Sequence, residues 1–331
     1  MPETSKSKIC VTRVVVSADD EGQRLDNHLL RMCKGVPKSH IYRIIRDGEV
    51  RLNGRRAAVS DRLAAGDVLR VPPLRMARRE EEIVAGAEIR TDLPILYEDD
   101  ALLVVDKPAG IAVHGGSGVS FGVIEALRRQ RPQARCLELA HRLDRETSGL
   151  LLVGKKRSAL TALHALFREG HGIDKRYLLL ARGRWLAPQR EVALPLRKYL
   201  LEGGEHRGER RVRVAPDGKP SRTVFRLLAR WERFSLLEAR LRTGRTHQIR
   251  VHCAHLGFPI AGDEKYGDFA LNRTLSKDGL KRMFLHAWKI RLPHPLSGEV
   301  LDLQAPLPEA LAGFLKHSSS IGGSPEYGQA F

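Results

Sequence analysis

Apolar residues near the start of the chain recur at helical spacing. The stretch RLDNHLLRM carries one apolar stripe, at Leu25, Leu29 and Leu30. The stretch SHIYRIIRDG carries a second, at Ile41, Ile44 and Ile45. Ser39 is placed to cap the start of the second helix, and Gly48 suits a left-handed residue at its end. These patterns predict two consecutive helices.

The pattern then changes to alternation. Val50 and Leu52 alternate with polar residues in EVRLNGRRA, and Asn53-Gly54 is a strong signal for a tight turn between strands. GDVLRVP predicts a short closing strand. We therefore expect a compact helix-and-hairpin unit over 15–73, a loose tail at 1–14 and a charged linker at 74–92.

A larger region, 93–316, is predicted to be mostly strands with a few helices. LPILYEDDALLVVDKPAG reads as two strands around Asp99-Asp100, whereas SFGVIEALRRQ, SALTALHALFREG and THQIRVHCAHLG read as helices. SRTVFRLLARWER and FSLLEARLRTG alternate with period two and are predicted to pair antiparallel. The predicted class is α+β, with a long mixed sheet and a flexible tail at 317–331.

The charge balance points to a polyanionic partner. The 331 residues include 57 Lys and Arg against 39 Asp and Glu, a formal net charge of +18. Such an excess favours binding to phosphates, because cations that bind them release condensed counterions. A basic protein on a membrane surface is the alternative, but no lipidation motif or basic amphipathic helix supports it. We expect no membrane association.

Cysteine spacing and the first residues bear on the compartment. The four cysteines, Cys10, Cys33, Cys136 and Cys253, form no CxxC pair, so neither a zinc site nor a disulfide framework is predicted. MPETSKSKIC lacks the apolar core of a signal peptide, and no run reaches the ~18 apolar residues of a membrane span. We expect a cytoplasmic protein.

Candidate chemistry concentrates in HRLDRETSGL. Asp144 lies among His141, Arg142 and Arg145, immediately before the apolar run that starts at Leu150. Neighbouring cations would hold such a carboxylate ionised, and an ionised, positioned Asp can act as a nucleophile or a base. A structural ion pair is the alternative, and the loop alone favours it.

Two further stretches carry candidate side chains. Tyr177 starts the apolar strand of KRYLLLARGRW and could stack on a base or pack as a half-buried strand residue. Arg245 precedes the helix predicted near Thr246, where its guanidinium could bind a carboxylate through two hydrogen bonds. His252 and His255 could share a helix face, but their spacing to other ligands does not indicate a metal site.

The first unit resembles the S4 RNA-binding domain. The matching features are RLDNHLL, the Ser-led helix, DGEVRLNG and the AGD before the last strand. The resemblance implies that the second helix and neighbouring cations face an RNA backbone, and phosphate contacts need clustered cations. The expected RNA-binding residues are Lys38, Ser39, Arg43, Arg46, Arg51 and Arg55. A small domain with a solvated basic surface is the alternative.

The second region resembles the RluA-type pseudouridine synthases, in which an N-terminal S4 domain is frequent. The resemblance is carried by HRLDRETSG, by RTGRTHQIRVH followed by HLGFPIAGDEKYG, and by FLHAWKI. It implies a pseudouridine synthase domain with a long, mostly antiparallel sheet flanked by helices. It covers nearly the whole chain except the two tails, and no core motif departs from it.

The resemblance also implies site residues. Asp144 would be the catalytic carboxylate, Arg245 would pair with it, and Tyr177 would stack on the target base and help remove the C5 proton. The expected substrate contacts are Arg142, Leu285, His141, Arg145 and Thr147. The isomerisation gains and loses no atom, so no cofactor and no metal are expected. Asp144 could attack the substrate or remove a ribose proton to give a glycal, and the sequence does not choose between these.

The resemblance further implies the substrate, 23S rRNA, free or in an assembling large ribosomal subunit, and we expect a monomer to bind it. Two alternatives stay open. The same chemistry could act on a transfer RNA or another rRNA site, or the chain could be a non-catalytic RNA-binding assembly factor. A pure binder would have no reason to carry Asp144, Tyr177 and Arg245 together.

Overall fold

The chain forms two compact units, residues 1–90 and 91–331. A computed structural model describes residues 11–33, 36–74, 93–115, 121–203, 208–317 and 327–328. Most of the predicted linker and of both predicted tails lies outside these residues. Within the described residues, no helix is both long enough and apolar enough to span a membrane.

The first unit packs two helices on a four-stranded sheet of order β1-β4-β2-β3. Its elements are β1 (Thr12–Val15), a short 3₁₀ helix (Ala18–Asp20), α1 (Leu25–Met32), α2 (Lys38–Arg46), β2 (Arg51–Leu52), β3 (Arg55–Arg56) and β4 (Val68–Val71). All its strand pairs are antiparallel. The sheet begins at Thr12, within the stretch predicted to be a loose tail.

The predicted turn and helix end are confirmed, but the predicted helix cap is wrong. Asn53 and Gly54 have φ of 51° and 80°, and Gly48 has φ of 75°. The cap position of α2 is occupied by Pro37, with no side-chain cap, and Ser39 lies inside the first turn. The fixed φ of proline suits the start of a helix, so α2 begins two residues earlier than its Ser suggests.

The second unit is built on an eleven-stranded sheet. The strands of this unit, in both of its sheets, are β5 (Ile95–Glu98), β6 (Leu102–Lys107), β7 (Glu138–Leu139), β8 (Ser148–Gly154), β9 (Asp174–Arg182), β10 (Gln189–Ala193), β11 (Leu196–Leu200), β12 (Arg210–Val214), β13 (Arg222–Arg230), β14 (Phe234–Leu241), β15 (Leu285–Pro293), β16 (Val300–Gln304) and β17 (Tyr327–Gly328). Strands β11 and β12 form a separate two-stranded sheet. The helices are α3 (Val123–Gln130), α4 (Arg157–Glu169), α5 (Gln248–His255), α6 (Phe269–Lys277) and α7 (Glu309–His317).

The main path of the large sheet is β10-β13-β14-β9-β15-β8-β6-β5. Its pairs are antiparallel except that β8 and β15 run parallel. The predicted antiparallel pairing of β13 with β14 is confirmed, and β17 also pairs with β13, inside the predicted C-terminal tail. The α+β class and the mixed, mostly antiparallel sheet are confirmed.

The parallel pair positions the site at the centre of this sheet. Because β8 and β15 run the same way, the loop before Ser148 and the start of β15 reach the same edge. Tyr177 of β9 pairs with Ala287 of β15 and so lies beside them. Gly149 makes the approach possible: its φ is +106°, and a Cβ there would lie 2.2 Å from Ala287 O.

Candidate active site

The loop between β7 and β8 presents Asp144 to a small cavity. The backbone N–H of Thr147 donates to Asp144 O at 3.1 Å and closes a tight turn around the carboxylate. The Asp144 side chain keeps 18% of its surface exposed. Substrate can therefore reach the carboxylate, while a backbone hydrogen bond holds the loop in place.

Helix α5 supplies the cation that holds Asp144. Nη1 of Arg250 donates to Asp144 Oδ2 at 3.1 Å, across 106 residues of chain. Nε2 of His247 lies 3.7 Å from the same oxygen. Both groups approach from the N-terminal half of α5, so the position of this helix on the sheet fixes the electrostatics of the loop.

A second carboxylate, fully buried, holds Arg250 in turn. Asp263 accepts from Nε and Nη2 of Arg250, both at 2.7 Å, and from the backbone N–H groups of Lys265 and Tyr266. Burial opposes the charge on Arg250, but the hydrogen bonds and charge of Asp263, and then those of Asp144, raise its pKa above the ordinary arginine value. Arg250 is therefore a fixed cation shared by two carboxylates.

The predicted pairing of Arg245 with Asp144 is wrong, because Arg250 takes that position. Arg245 is exposed, and its Nε donates to Pro220 O at 3.1 Å. Its backbone N–H donates to Gln248 Oε1, at the turn that leads into α5. Arg245 does line the same cavity as Asp144 and Tyr177, so the three predicted residues converge although two of them do not pair.

The cavity around Asp144 has a volume of about 100 Å³. Of the predicted site residues, it is lined by Arg142, Asp144, Thr147, Tyr177, Arg245 and Leu285. Burial, and then the charge of Asp144, raise the pKa of the Tyr177 hydroxyl, which therefore stays protonated. A carboxylate, a neutral phenol and an apolar wall meet in one small volume.

Two predicted substrate contacts are placed elsewhere. The ring of His141 stacks on Phe167 with centroids 4.8 Å apart, and its Nε2 accepts from the backbone N–H of Leu152 at 3.1 Å. Burial lowers its pKa to about 3, so the ring is neutral. Arg145 forms an exposed ion pair with Glu146 at 3.1 Å. The partners of His141 belong to α4 and β8, so its side chain ties the loop to the framework, whereas Arg145 pairs with its exposed neighbour within the loop.

His247 is a site residue that the sequence pattern did not single out for this role. It has φ of 55° at the start of α5, an uncommon conformation for a residue with a side chain. Its Nδ1 lies 2.8 Å from the hydroxyl of Tyr266, and burial lowers its pKa to about 4. A neutral imidazole therefore faces Asp144. Strained residues of this kind are often found at functional sites.

Lys107, at the end of β6, holds the loop that carries Asp144. Its buried ammonium donates to three carbonyls: Pro108 O at 2.7 Å, Ile111 O at 2.8 Å and Arg145 O at 3.0 Å. Burial lowers its pKa to about 7. The carbonyl of Arg145 belongs to the loop that carries Asp144, so Lys107 ties this loop to the end of β6.

The missed residues had signals in the sequence. Asp263 lies in the motif GDEKYG, and Arg250 lies in HQIRVH, five residues after Arg245, the predicted partner of Asp144. Lys107 is a charged residue at the end of an apolar strand. In the described part of the chain, no group of three or more His, Cys, Asp or Glu side chains could hold a metal ion.

Family models match both units. The model described as RNA pseudouridylate synthase matches residues 101–255, which include Asp144, Tyr177 and Arg250. The model described as S4 domain matches residues 23–69.

Curated relatives match almost the whole chain. Ribosomal large subunit pseudouridine synthase C of Escherichia coli strain K12 is 51% identical over 315 residues, which cover 93% of this chain and 96% of that protein. The protein of the same name from Yersinia pestis is 52% identical over 304 residues, covering 91% and 93%. Among solved structures, human RNA Pseudouridylate Synthase Domain Containing 4 is 25% identical with a TM-score of 0.54, covering 67% of this chain and 91% of that chain.

Proposed function

Because this chain belongs to the RNA pseudouridylate synthase family and is a pseudouridine synthase with an S4 domain, we propose that it isomerises specific uridines in the RNA of the large ribosomal subunit, 23S rRNA. Its near full-length relatives carry that subunit in their names. The net charge of +18 suits a large RNA partner. We also propose that it acts in the cytoplasm as a monomer, without a cofactor.

Asp144 is the catalytic carboxylate in this proposal. The single observation that carries it is the contact of 3.1 Å between Asp144 and Arg250 in a cavity shared with Tyr177 and Leu285. Arg250 holds the Asp144 carboxylate by a charged hydrogen bond and aims it before substrate arrives. The carboxylate can then attack the substrate or remove a ribose proton as the bond between N1 and C1′ breaks. The bond from C1′ to C5 forms after the uracil has turned.

Tyr177 and Leu285 hold the uracil between these two steps. The base must leave its stack to enter the cavity, at a cost of roughly a few kcal/mol. The Tyr177 ring offers a face to it, and Arg142, exposed at the cavity mouth, fills the space that the base leaves in the RNA. Since the Tyr177 hydroxyl is protonated, it takes the C5 proton only as it passes its own proton to the Asp144 carboxylate of the same cavity. The proton lost from C5 is balanced by the proton that N1 of the product gains.

The S4 unit supplies a second RNA contact in this proposal. Five of its predicted RNA-binding residues are exposed: Lys38, Ser39, Arg43, Arg46 and Arg55. Arg51, the sixth, is half-buried. Contacts from clustered cations to phosphates position the protein along the RNA backbone, but they do not distinguish one RNA sequence from another.

The test uses an unmodified transcript of 23S rRNA, the full-length protein and its Asp144→Asn variant. Asn keeps the shape of the side chain and removes the charge. We expect the wild type to form pseudouridine at defined positions, mapped by mass spectrometry. We expect the variant to bind the transcript with similar affinity and to form none. Product from Asp144→Asn at the wild-type rate would refute the assignment of Asp144.

A further inference from the structure

A larger cavity adjoins the one that contains Asp144. It has a volume of about 390 Å³, in the range of roughly 300–1,000 Å³ typical of ligand pockets. The two cavities share Gly244, Arg245 and Thr246 as a common wall. The apolar part of its lining comes from the hairpin β11–β12, where Leu196 and Val212 are buried. A group bound here would therefore lie next to the uridine that reacts.

The rim of this cavity is cationic. Four cations, Arg197, Lys198, Lys219 and Arg245, surround one carboxylate, Asp217. Nη1 of Arg197 lies 2.5 Å from Asp217 Oδ2, so this pair largely neutralises itself. Among the described residues, the ammonium groups of Lys198 and Lys219 contact no acceptor or carboxylate, and both side chains are exposed. The rim therefore offers positive charge that no other group of the described chain neutralises.

The backbone under these cations is fixed. Leu196 and Lys219 exchange two backbone hydrogen bonds, at 2.9 and 2.8 Å, in an antiparallel bridge. Gly218 lies so close to β11 that a Cβ on it would be 2.6 Å from both the N and the C atoms of Leu196. Because the loop is packed against the strand, Lys198 and Lys219 project from a rigid frame.

We propose that this second cavity binds the nucleotide next to the target uridine in the RNA chain. This inference rests on the proposed function and adds a subsite to it. The base packs on Leu196 and Val212, and Lys198 and Lys219 contact its phosphate. Arg245, which lies at both cavities, donates its remaining N–H groups to the phosphodiester that joins the two nucleotides. This assigns Arg245 to substrate positioning in place of the predicted pairing with Asp144.

The first test measures binding and does not depend on catalysis. Lys198→Ala/Lys219→Ala is built in full-length Asp144→Asn protein and compared with Lys156→Ala/Lys316→Ala, which removes two exposed lysines that line neither cavity. Kd for the unmodified 23S transcript is measured over a series of salt concentrations. We expect the first pair to weaken binding about tenfold and to reduce the salt slope by about two, one for each lost phosphate contact. Equal effects from both pairs would overturn the proposal.

The second test asks whether the ligand is a neighbour of the uridine. Oligonucleotides carry a reacting uridine, mapped on the transcript, and lack the base of the nucleotide on one side or the other. For the wild type, we expect one of these two oligonucleotides to have a KM about tenfold higher than the intact oligonucleotide. We expect the same oligonucleotide to raise KM by a similar factor for Lys198→Ala/Lys219→Ala, because this variant keeps Leu196 and Val212. If the wild type reacts equally well with both oligonucleotides that lack a base, the subsite is contradicted.

The two proposals fail in different ways. If the wild type forms no pseudouridine on the transcript, the proposed function fails, and the binding test still decides whether the cavity contacts RNA. If the wild type reacts and the lysine pair behaves as its control does, only the subsite fails. Both lysines are exposed, so circular dichroism and a thermal melt should show unchanged folding.

Discussion

Replacing Arg250 with Met tests whether one buried cation supports both the fold and the chemistry. The side chains of Arg250 and Asp263 are 5% and 1% exposed, so the change leaves the Asp263 carboxylate buried without its cation. Removing one partner of such a pair costs roughly 3–5 kcal/mol of unfolding free energy. Asp144 also loses its charged hydrogen bond, and losing one such group in an active site lowers kcat roughly 10²–10³-fold. Urea unfolding and single-turnover pseudouridine formation measure the two effects.

A double variant separates the two effects. In Arg250→Met/Asp263→Asn both charges are gone, while Asn can still accept the backbone N–H groups of Lys265 and Tyr266. We expect this variant to regain about 2 kcal/mol or more of the lost stability, because no buried charge is left unpaired. Its kcat should stay as low as that of Arg250→Met.

Arg245→Met is the matched comparison, since the two arginines lie five residues apart. Arg245 is exposed, so we expect its loss to change stability by no more than about 0.5 kcal/mol and to raise KM. A hundredfold loss of kcat in Arg245→Met but not in Arg250→Met would show that Arg250 is not the functional partner of Asp144. A double variant that regains no stability would show that an unpaired buried charge is not what destabilises Arg250→Met.

Three further outcomes follow from the buried polar groups. Tyr177→Phe keeps the ring, so RNA affinity should stay within about threefold, while kcat measured by tritium release from C5 should fall about 10²–10⁴-fold; an unchanged kcat would exclude the hydroxyl from proton transfer. Lys107→Met leaves Pro108 O and Ile111 O without a donor, while Arg145 O keeps the Gly110 N–H, and should cost at least about 2 kcal/mol in urea unfolding, whereas a loss below about 0.5 kcal/mol would contradict its anchoring role. Burial lowers the pKa values of His141, His247 and His286 to about 3, 4 and 4, so the unfolded chain binds more protons below about pH 6.5. Stability should be greatest above pH 6.5 and fall by roughly 4 kcal/mol between pH 7.5 and 5.5, with a similar share from each histidine; equal urea midpoints at the two pH values would refute this.

The sequence was sufficient for residues whose placement follows from strand pairing. Tyr177 and Leu285 lie at the start of apolar strands, and Asp144 lies in the loop before another. Parallel pairing of β8 with β15, beside β9, brings the three together. Apolar runs indicated the strands at Leu150 and Tyr177, and the motifs, including FLHAWKI with Leu285, indicated which side chains carry the chemistry.

The choice between Arg245 and Arg250 could not be made from spacing. Residues Gln248 to Cys253 of α5 are all buried, so the helix has no polar face from which its orientation can be read. Periodicity shows which side of a helix faces the core only when the other side faces water. The partner of Asp144 therefore depends on packing, which one sequence does not display.

Asp263 and Lys107 were not predicted as buried residues of the site, for a related reason. Charged residues are rarely fully buried unless they are paired, so charge in a sequence predicts exposure. Both are 0% exposed here, because other groups of the chain satisfy their hydrogen bonds. Each set of partners includes a residue from another element: Arg145 is 38 residues from Lys107, and Arg250 is 13 residues from Asp263.

The parallel contact between β8 and β15 has a consequence for how this enzyme matures. Ser148 and His286 are hydrogen-bonded at 2.9 Å although 138 residues separate them, and no short segment contains the site. Contacts over such separations form slowly, because chain entropy is lost before they stabilise anything. During refolding, pseudouridine formation should return only after most secondary structure has formed. A nascent chain that still lacks β15 can therefore bind RNA through its completed S4 unit well before it can modify that RNA.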